Sequence, residues 1–389
     1  MRNVQTKLLR TLLVAAVMVL PGAVLADEFK PEPIGVIEQL PSPYPEHWAL
    51  VHDFSFFHMF EGEVLVVDPL AGTAGEQYKG MITASFIAAF QRSKVRDEFY
   101  VIETFQSRGG RGGERTDTVT IWDPASLKVK GEIIIPPKRI TGMPKNGLTG
   151  LLDNDRFLGV YNFTPAQSIS IVDLEQRTFV AEIETPGCGF VIPHSGPSFS
   201  SLCSNGTFHT SHLKADGTLS DSTKSEVLFS AEDDPIFETF VQHNGITYFP
   251  TFEGRVMPFD TSGKVIKPGK AWWLTDATER NWRPGGMNIL TLDSSGLAYV
   301  LMNPEGGEGS HKDGGAEVWQ YDLAKGKRLQ RLELKNWGVS LGTTGKGDGR
   351  LLMVTNAEMA IDVYRLEDFS FVHTLGVGGA TPFFTHGVN

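Results

Sequence analysis

"VLVVDP" (64–69) and "VTIWDP" (119–124) are short apolar, β-branched runs that end in an aspartate and a turn. The pattern returns as "ISIVDL" (169–174), "RVMPFD" (255–260) and "VWQYDL" (318–323), with weaker copies in "FHTSHLKADG" (208–217) and "IDVYRL" (361–366). Branched and aromatic residues favour strands. An aspartate at the strand end can hydrogen-bond the backbone of the turn that follows. Further strand-like runs lie between the copies, among them "EFYVIETF" (98–105), "RFLGVYNF" (156–163), "LAYVLMN" (297–303) and "RLLMVTN" (350–356), separated by Gly, Asn and Asp turns. A repeat of roughly 50 residues with about four strands per unit is the arithmetic of a β-propeller. The expectation is an all-β, seven-bladed β-propeller, each blade burying its faces against its neighbours.

Sustained helical periodicity is scarce. "MITASFIAAFQRSK" (81–94) is the best helix candidate, yet its composition suits strands equally well. At the start, Arg2, Lys7 and Arg10 precede the apolar "LLVAAVMVLPGAV" and the small or moderate residues "VLA" at Val24–Ala26. This reads as a cleavable export signal over 1–26. Residues 27–48, rich in proline and glutamate, read as an extended arm, and 49–389 as the propeller. Loss of the signal would take the formal net charge from −11 to about −14. That acidity opposes binding to nucleic acid or to anionic membranes. The expectation is export of a soluble chain. In an exported chain the two cysteines, Cys188 and Cys203, read as a disulfide, with two buried free thiols as the alternative.

Most patterns for chemistry fail on inspection. "GTTGKGDGR" (342–350) has the wrong spacing for a phosphate loop and reads as a hairpin turn. His209 and His212 lack a third metal ligand. Asp233–Asp234 precedes a proline and reads as a linking turn, and Trp272–Trp273 reads as packing on two faces of a strand. Arg115 and Arg283, in "RGGERTD" and "NWRPGG", read as anchors for a neighbouring carboxylate or carbonyls. No catalytic residue and no metal site is assigned to this chain.

Several stretches, in order, resemble the large subunit of the periplasmic amine dehydrogenases: "GGERTDTVTIWDP" (112–124), "GCGFVIP" (187–193), "SFSSLCSNG" (198–206), "NWRPGG" (281–286) and "MNPEGGEGSHK" (302–312). "PPKRITG" (136–142), "FSAEDDPIF" (229–237) and "EGSHK" (308–312) lean toward the aromatic amine dehydrogenase branch over the methylamine branch. The resemblance implies a seven-bladed propeller without a redox cofactor. Tryptophan tryptophylquinone and the catalytic base would sit on a separate small, cysteine-rich subunit, in an assembly of two large and two small chains. Primary amines, aromatic ones included, would be oxidised to aldehyde and ammonia, and electrons passed to a small copper protein of the cupredoxin type. Cys188 and Cys203 fall where that family has an intrablade disulfide.

The resemblance also gives a meaning to "HDFSFFHMFEGEVLVVDP" (52–69), where Phe54, Phe56, Phe57 and Phe60 crowd together. Adjacent Phe56 and Phe57 cannot share one strand face. In the family a phenylalanine before the first such strand reaches the substrate channel at the subunit junction. Phe56 matches that position, with Phe57 its neighbour if the register slips. The alternative places all four rings in the chain's own core. Two rival functions stay open: a stand-alone propeller that binds a ligand or protein, and a lactonase-like hydrolase with a metal in its central channel.

Overall fold

The structure, a computed structural model, describes residues 39–59 and 61–388. The expected signal at 1–26, the first part of the expected arm (27–38) and Phe60 lie outside the described residues. Strands dominate, as the alternation of β-branched runs and turns requires. The aspartates that end the repeated motif cap the turns after them. Asp68 accepts from the Leu70 amide at 3.0 Å, Asp123 from Ser126 at 2.7 Å, Asp173 from Glu175 at 2.9 Å, Asp260 from Ser262 at 2.9 Å and Asp322 from Lys325 at 3.1 Å. Of the two weaker copies, 208–217 contains Asp216, which caps Thr218 at 3.0 Å; 361–366 ends in no aspartate, and Asp368, two residues beyond it, caps Ser370 at 2.9 Å.

The fold is an all-β propeller. Its hydrogen-bonded sheets do not number seven separate blades, and that expectation is corrected here. Among the described residues there are five separate blade sheets and one eight-stranded sheet. The cause is one 18-residue strand, Lys327–Thr344. Its first part pairs with Gly315–Asp322 and its last part with Leu351–Asn356, so the ladder runs on without a break. The helix candidate at 81–94 is not a helix: strand Tyr78–Ala84 turns at Phe86–Ile87 into strand Ala89–Ser93.

The first sheet closes the ring. The last strand, Pro382–Gly387, pairs with the first, Ala49–Asp53, which in turn pairs with Gly62–Val67. Apolar clusters fill the spaces between neighbouring sheets. Leu50, Val64 and Val66 meet Phe90, Phe99 and Val101, and on the other side Val51 and Val67 meet Met353 and Val363. One cluster joins the two parts of the eight-stranded sheet, with Leu301 and Val318 on one part against Leu352 and Val354 on the other. The described end of the arm is no free linker: Tyr44 and Trp48 are buried in the first cluster, and the Tyr44 hydroxyl donates to the Pro124 carbonyl at 2.5 Å. No helix among the described residues is long and apolar enough to cross a membrane.

Cys188 and Cys203 face each other in register on adjacent strands and form a disulfide across a sequence separation of 15. Both are buried. Replacing both with serine should lower the unfolding free energy by about 3 kcal/mol, the chain-entropy value for such a loop. Denaturant titration of the double variant checks this, and an unchanged midpoint would show the bond to be energetically idle.

Candidate functional site: an aromatic rim beside a polar channel

The site begins at a buried carboxylate. Asp53, the last residue of the first strand, is 3% exposed. Its Oδ1 accepts from the Thr381 amide at 2.7 Å, the Thr381 hydroxyl at 3.1 Å and the Ser55 amide at 2.9 Å, and its Oδ2 from the Ala380 amide at 2.8 Å. A charged acceptor with several donors is among the stronger local ties a protein makes. Gly379, at φ +82°, is required here, because a Cβ would overlap the Asp53 carboxylate.

From this tie the chain turns sharply. Ser55 and Met59 adopt left-handed backbone at φ 45° and 50°, bracketing a single 3-10 turn, Phe56–His58. The Phe56 amide donates to the Thr381 hydroxyl at 2.8 Å. The reversal separates the crowded phenylalanines, which an extended strand could not do. Phe54 is buried with Phe383 and Phe384, edge-on to Phe384 at 5.2 Å between ring centres. Phe56 is half-buried, touching Phe86 at 6.4 Å and Phe383 at 5.9 Å. Phe57 and Met59 stand outward, 67% and 69% exposed. The rings therefore divide between core and surface, so the alternative that places all of them in the chain's own core does not hold for the described ones. The glycine-rich loop at 107–114 lies alongside, with Gly110 near the Met59 carbonyl.

An axial channel of about 800 Å³ runs beside this rim, lined by Arg92, Lys94, Thr149, Thr291, Thr343 and Lys346 among others. At the end nearer the rim, Asn146 donates to Asn288 at 2.9 Å, a hydrogen bond between segments far apart in sequence. Between rim and channel lie His52 and His386. His52 stacks on Phe54 at 3.9 Å between ring centres, and His386 borders the channel. Burial drives the His52 pKa well down, with His386 adding to it, and burial holds His386 at about 4.

The remaining sequence candidates are structural. Arg115 pairs with Asp117 at 2.8 Å through two nitrogens and also donates to the Arg139 carbonyl at 2.8 Å. Arg283 pairs with Glu253 at 2.9 Å and lies over the Phe252 ring. Asp234 is a buried acceptor for Thr251, Glu253 and Arg255. His212 meets the Ser198 hydroxyl at 2.8 Å. Trp272 packs on Tyr321 while Trp273 is 41% exposed, one ring to each face of the strand. Among the described residues no group of three His, Cys, Asp or Glu side chains could hold a metal ion. Phe86, Phe383 and Phe384 were not anticipated. The "FF" doublet at 383–384, echoing the one at 56–57, is the signal that pairing of first and last strands would have made readable.

Fold and site together define a β-propeller with an aromatic rim partly exposed at one end of its ring. The sequence model of the family described as methylamine dehydrogenase heavy chain (MADH) matches residues 48–376. The methylamine dehydrogenase heavy chain of Methylobacillus flagellatus is 28% identical over 66% of this chain and 64% of its own length. That of Methylorubrum extorquens is 26% identical over 86% of this chain and 79% of its own. The first of these matches thus spans less than two thirds of the relative's length. Among solved structures, a periplasmic gluconolactonase of Pseudomonas aeruginosa superposes with a TM-score of 0.59 over 88% of this chain and 99% of its own, at 15% identity, a likeness of fold alone. The chain belongs to the methylamine dehydrogenase heavy chain family.

The buried histidines give a pH dependence with a defined sign. His386 binds its proton with a pKa of about 4 when folded, against the ordinary 6.5 when unfolded. The unfolded state therefore binds more protons between those values, and stability falls as pH drops from about 6.5 to about 4. Replacing His386 with Phe should flatten this slope by about 3 kcal/mol across the window. Denaturant midpoints at pH 7 and pH 4.5 check it; parallel pH dependences in variant and parent would refute it.

Proposed function

We propose that this chain is the large, non-catalytic subunit of a periplasmic amine dehydrogenase, exported by cleavage after Ala26. In this reading a small partner subunit carries tryptophan tryptophylquinone, two large and two small chains assemble, and a cupredoxin takes the electrons. The carrying observation is family membership across most of the chain, joined to an aromatic rim built where the family's substrate-channel phenylalanine would fall. The substrate class is primary amines, with aromatic ones favoured by the density of rings.

The quinone, when bound on the partner, supplies the electron acceptor for amine oxidation. This chain's contribution is shape and exclusion of water. Phe56, half-buried against Phe86 and Phe383, is the ring that lines the substrate channel, and Phe57 is exposed beside it for contact with the partner. Apolar surface of this kind is covered on assembly, and a dry wall strengthens the electrostatics of the site it borders. The eight-stranded sheet acts as two blades in this reading. Its two parts face each other across Leu301, Val318, Leu352 and Val354, as separate blades do elsewhere in the ring.

Two measurements test the reading. The chain, expressed in its host with its genomic neighbours, should co-purify with a small quinone-absorbing subunit; a purified large chain that oxidises amines by itself would refute the assignment. In the assembled complex, Phe56→Ala should lower kcat/KM for 2-phenylethylamine about tenfold, a loss of about 1.4 kcal/mol, with assembly retained. Unchanged kinetics on every amine would remove Phe56 from the channel.

A further inference from the structure

The loop that carries Phe86 is held by more interactions than a connection of four residues needs. Strand Tyr78–Ala84 ends, and Ser85 to Ala88 lead into strand Ala89–Ser93. Within the loop Ile87 has φ 53°. A β-branched residue is a genuine outlier there, at a cost of roughly 1–3 kcal/mol. The surroundings hold it in place. The Ser85 amide donates to Glu103 at 2.9 Å, the Ser85 hydroxyl accepts from the Thr104 amide at 2.9 Å, and the Ala88 amide donates to the Ser85 carbonyl at 3.0 Å.

The carbonyl of Ile87 is taken by the guanidinium of Arg139, which is only 4% exposed. The same guanidinium donates to the Thr104 hydroxyl at 3.1 Å and the Ile140 carbonyl at 3.3 Å. Asp117 accepts from the Arg139 backbone amide at 3.1 Å, and Arg115 from the "RGGERTD" stretch clamps Asp117 in turn. Burial pushes the Arg139 pKa down to about 10, and the Asp117 charge opposes that shift. A buried guanidinium is expensive and is replaceable by apolar packing when stability alone is at stake. Here it does what an apolar side chain cannot: it fixes a strained carbonyl one residue from a ring that faces Phe56.

We propose that Phe86 is a second wall of the amine-binding opening beside Phe56, and that Arg139 is the residue that positions it through the Ile87 carbonyl. The ligand class is a primary amine with a flat apolar body, which can lie along the joint apolar face of the two packed rings, whereas a one-carbon amine has little apolar surface to set against it. This rests on the amine dehydrogenase reading and goes beyond it in naming the residues that discriminate between amines.

The test uses the assembled complex with 2-phenylethylamine and methylamine as probes. Phe86→Ala should raise KM for 2-phenylethylamine about tenfold, leave its kcat within about twofold, and leave KM for methylamine unchanged. Arg139→Lys, which keeps the charge and loses the fork, should move the same ratio the same way by a smaller factor. In the Phe86→Ala background it should add nothing, because a residue acting through Phe86 has no further effect once the ring is gone. Equal effects on both amines, or additive effects of the two substitutions, would overturn the proposal. If Phe56→Ala alters the kinetics while Phe86→Ala is silent, the channel reading stands and this inference fails. A complex that turns over no amine overturns both.

Discussion

The molecule depends on the seam at which its ends meet. A propeller is a ring of sheets, each covering its neighbour, and the ring holds only if the last strand completes the first sheet. Here Pro382–Gly387 does so by pairing with Ala49–Asp53. Backbone pairing alone would leave the upper end of the seam free to fray. The Asp53 carboxylate prevents this by gathering donors from Ser55, Ala380 and Thr381, residues more than 320 positions apart in the chain. The tie that closes the ring is also the point from which the aromatic rim departs, so closure and site geometry are one constraint.

That coupling explains how an acidic chain presents an apolar surface without losing it to its own core. Phe54 is drawn inward against Phe383 and Phe384, which belong to the closing strand. The left-handed residues Ser55 and Met59 then reverse the chain, so that Phe57 faces out. Buried charge supports the arrangement from the next sheet, where Arg139 and Asp117 hold the loop behind Phe86. The axial channel beside the rim has a different character, lined by Arg92, Lys94, Lys346 and several threonines. The channel is polar and basic where the rim is aromatic.

Much of this architecture was legible in the residues. The recurring aspartate motif located the turns, and in six of the seven copies its aspartate caps the turn as its chemistry requires, while after 361–366 the cap comes from Asp368 beyond the copy. The continuity of Lys327–Thr344 was not legible, because whether a ladder pauses between two sheets depends on backbone geometry that alternation of residue types does not encode. The stretch at 81–94 read equally as helix or strand, and the left-handed Ile87 decided it. Phe56 and Phe57 were identifiable as neighbours that cannot share a face. Their partners Phe86 and Phe383 were not, since one lies across a strained turn and the other across the ring closure. Arg139 stood in a quoted motif, yet nothing in "PPKRITG" says that its guanidinium is buried or which carbonyl it meets.

The seam is open to direct measurement by hydrogen–deuterium exchange on the Asp53→Asn variant. Asparagine keeps one acceptor oxygen and turns an NH₂ group toward backbone donors, so the shared tie is lost while the size is kept. The amides of Phe56, Ala380 and Thr381 should then exchange at least about tenfold faster, with those of the distant strand Ile246–Pro250 unchanged. Protection at all three seam amides equal to that of the parent protein would contradict the claim that this carboxylate holds both the ring and its rim.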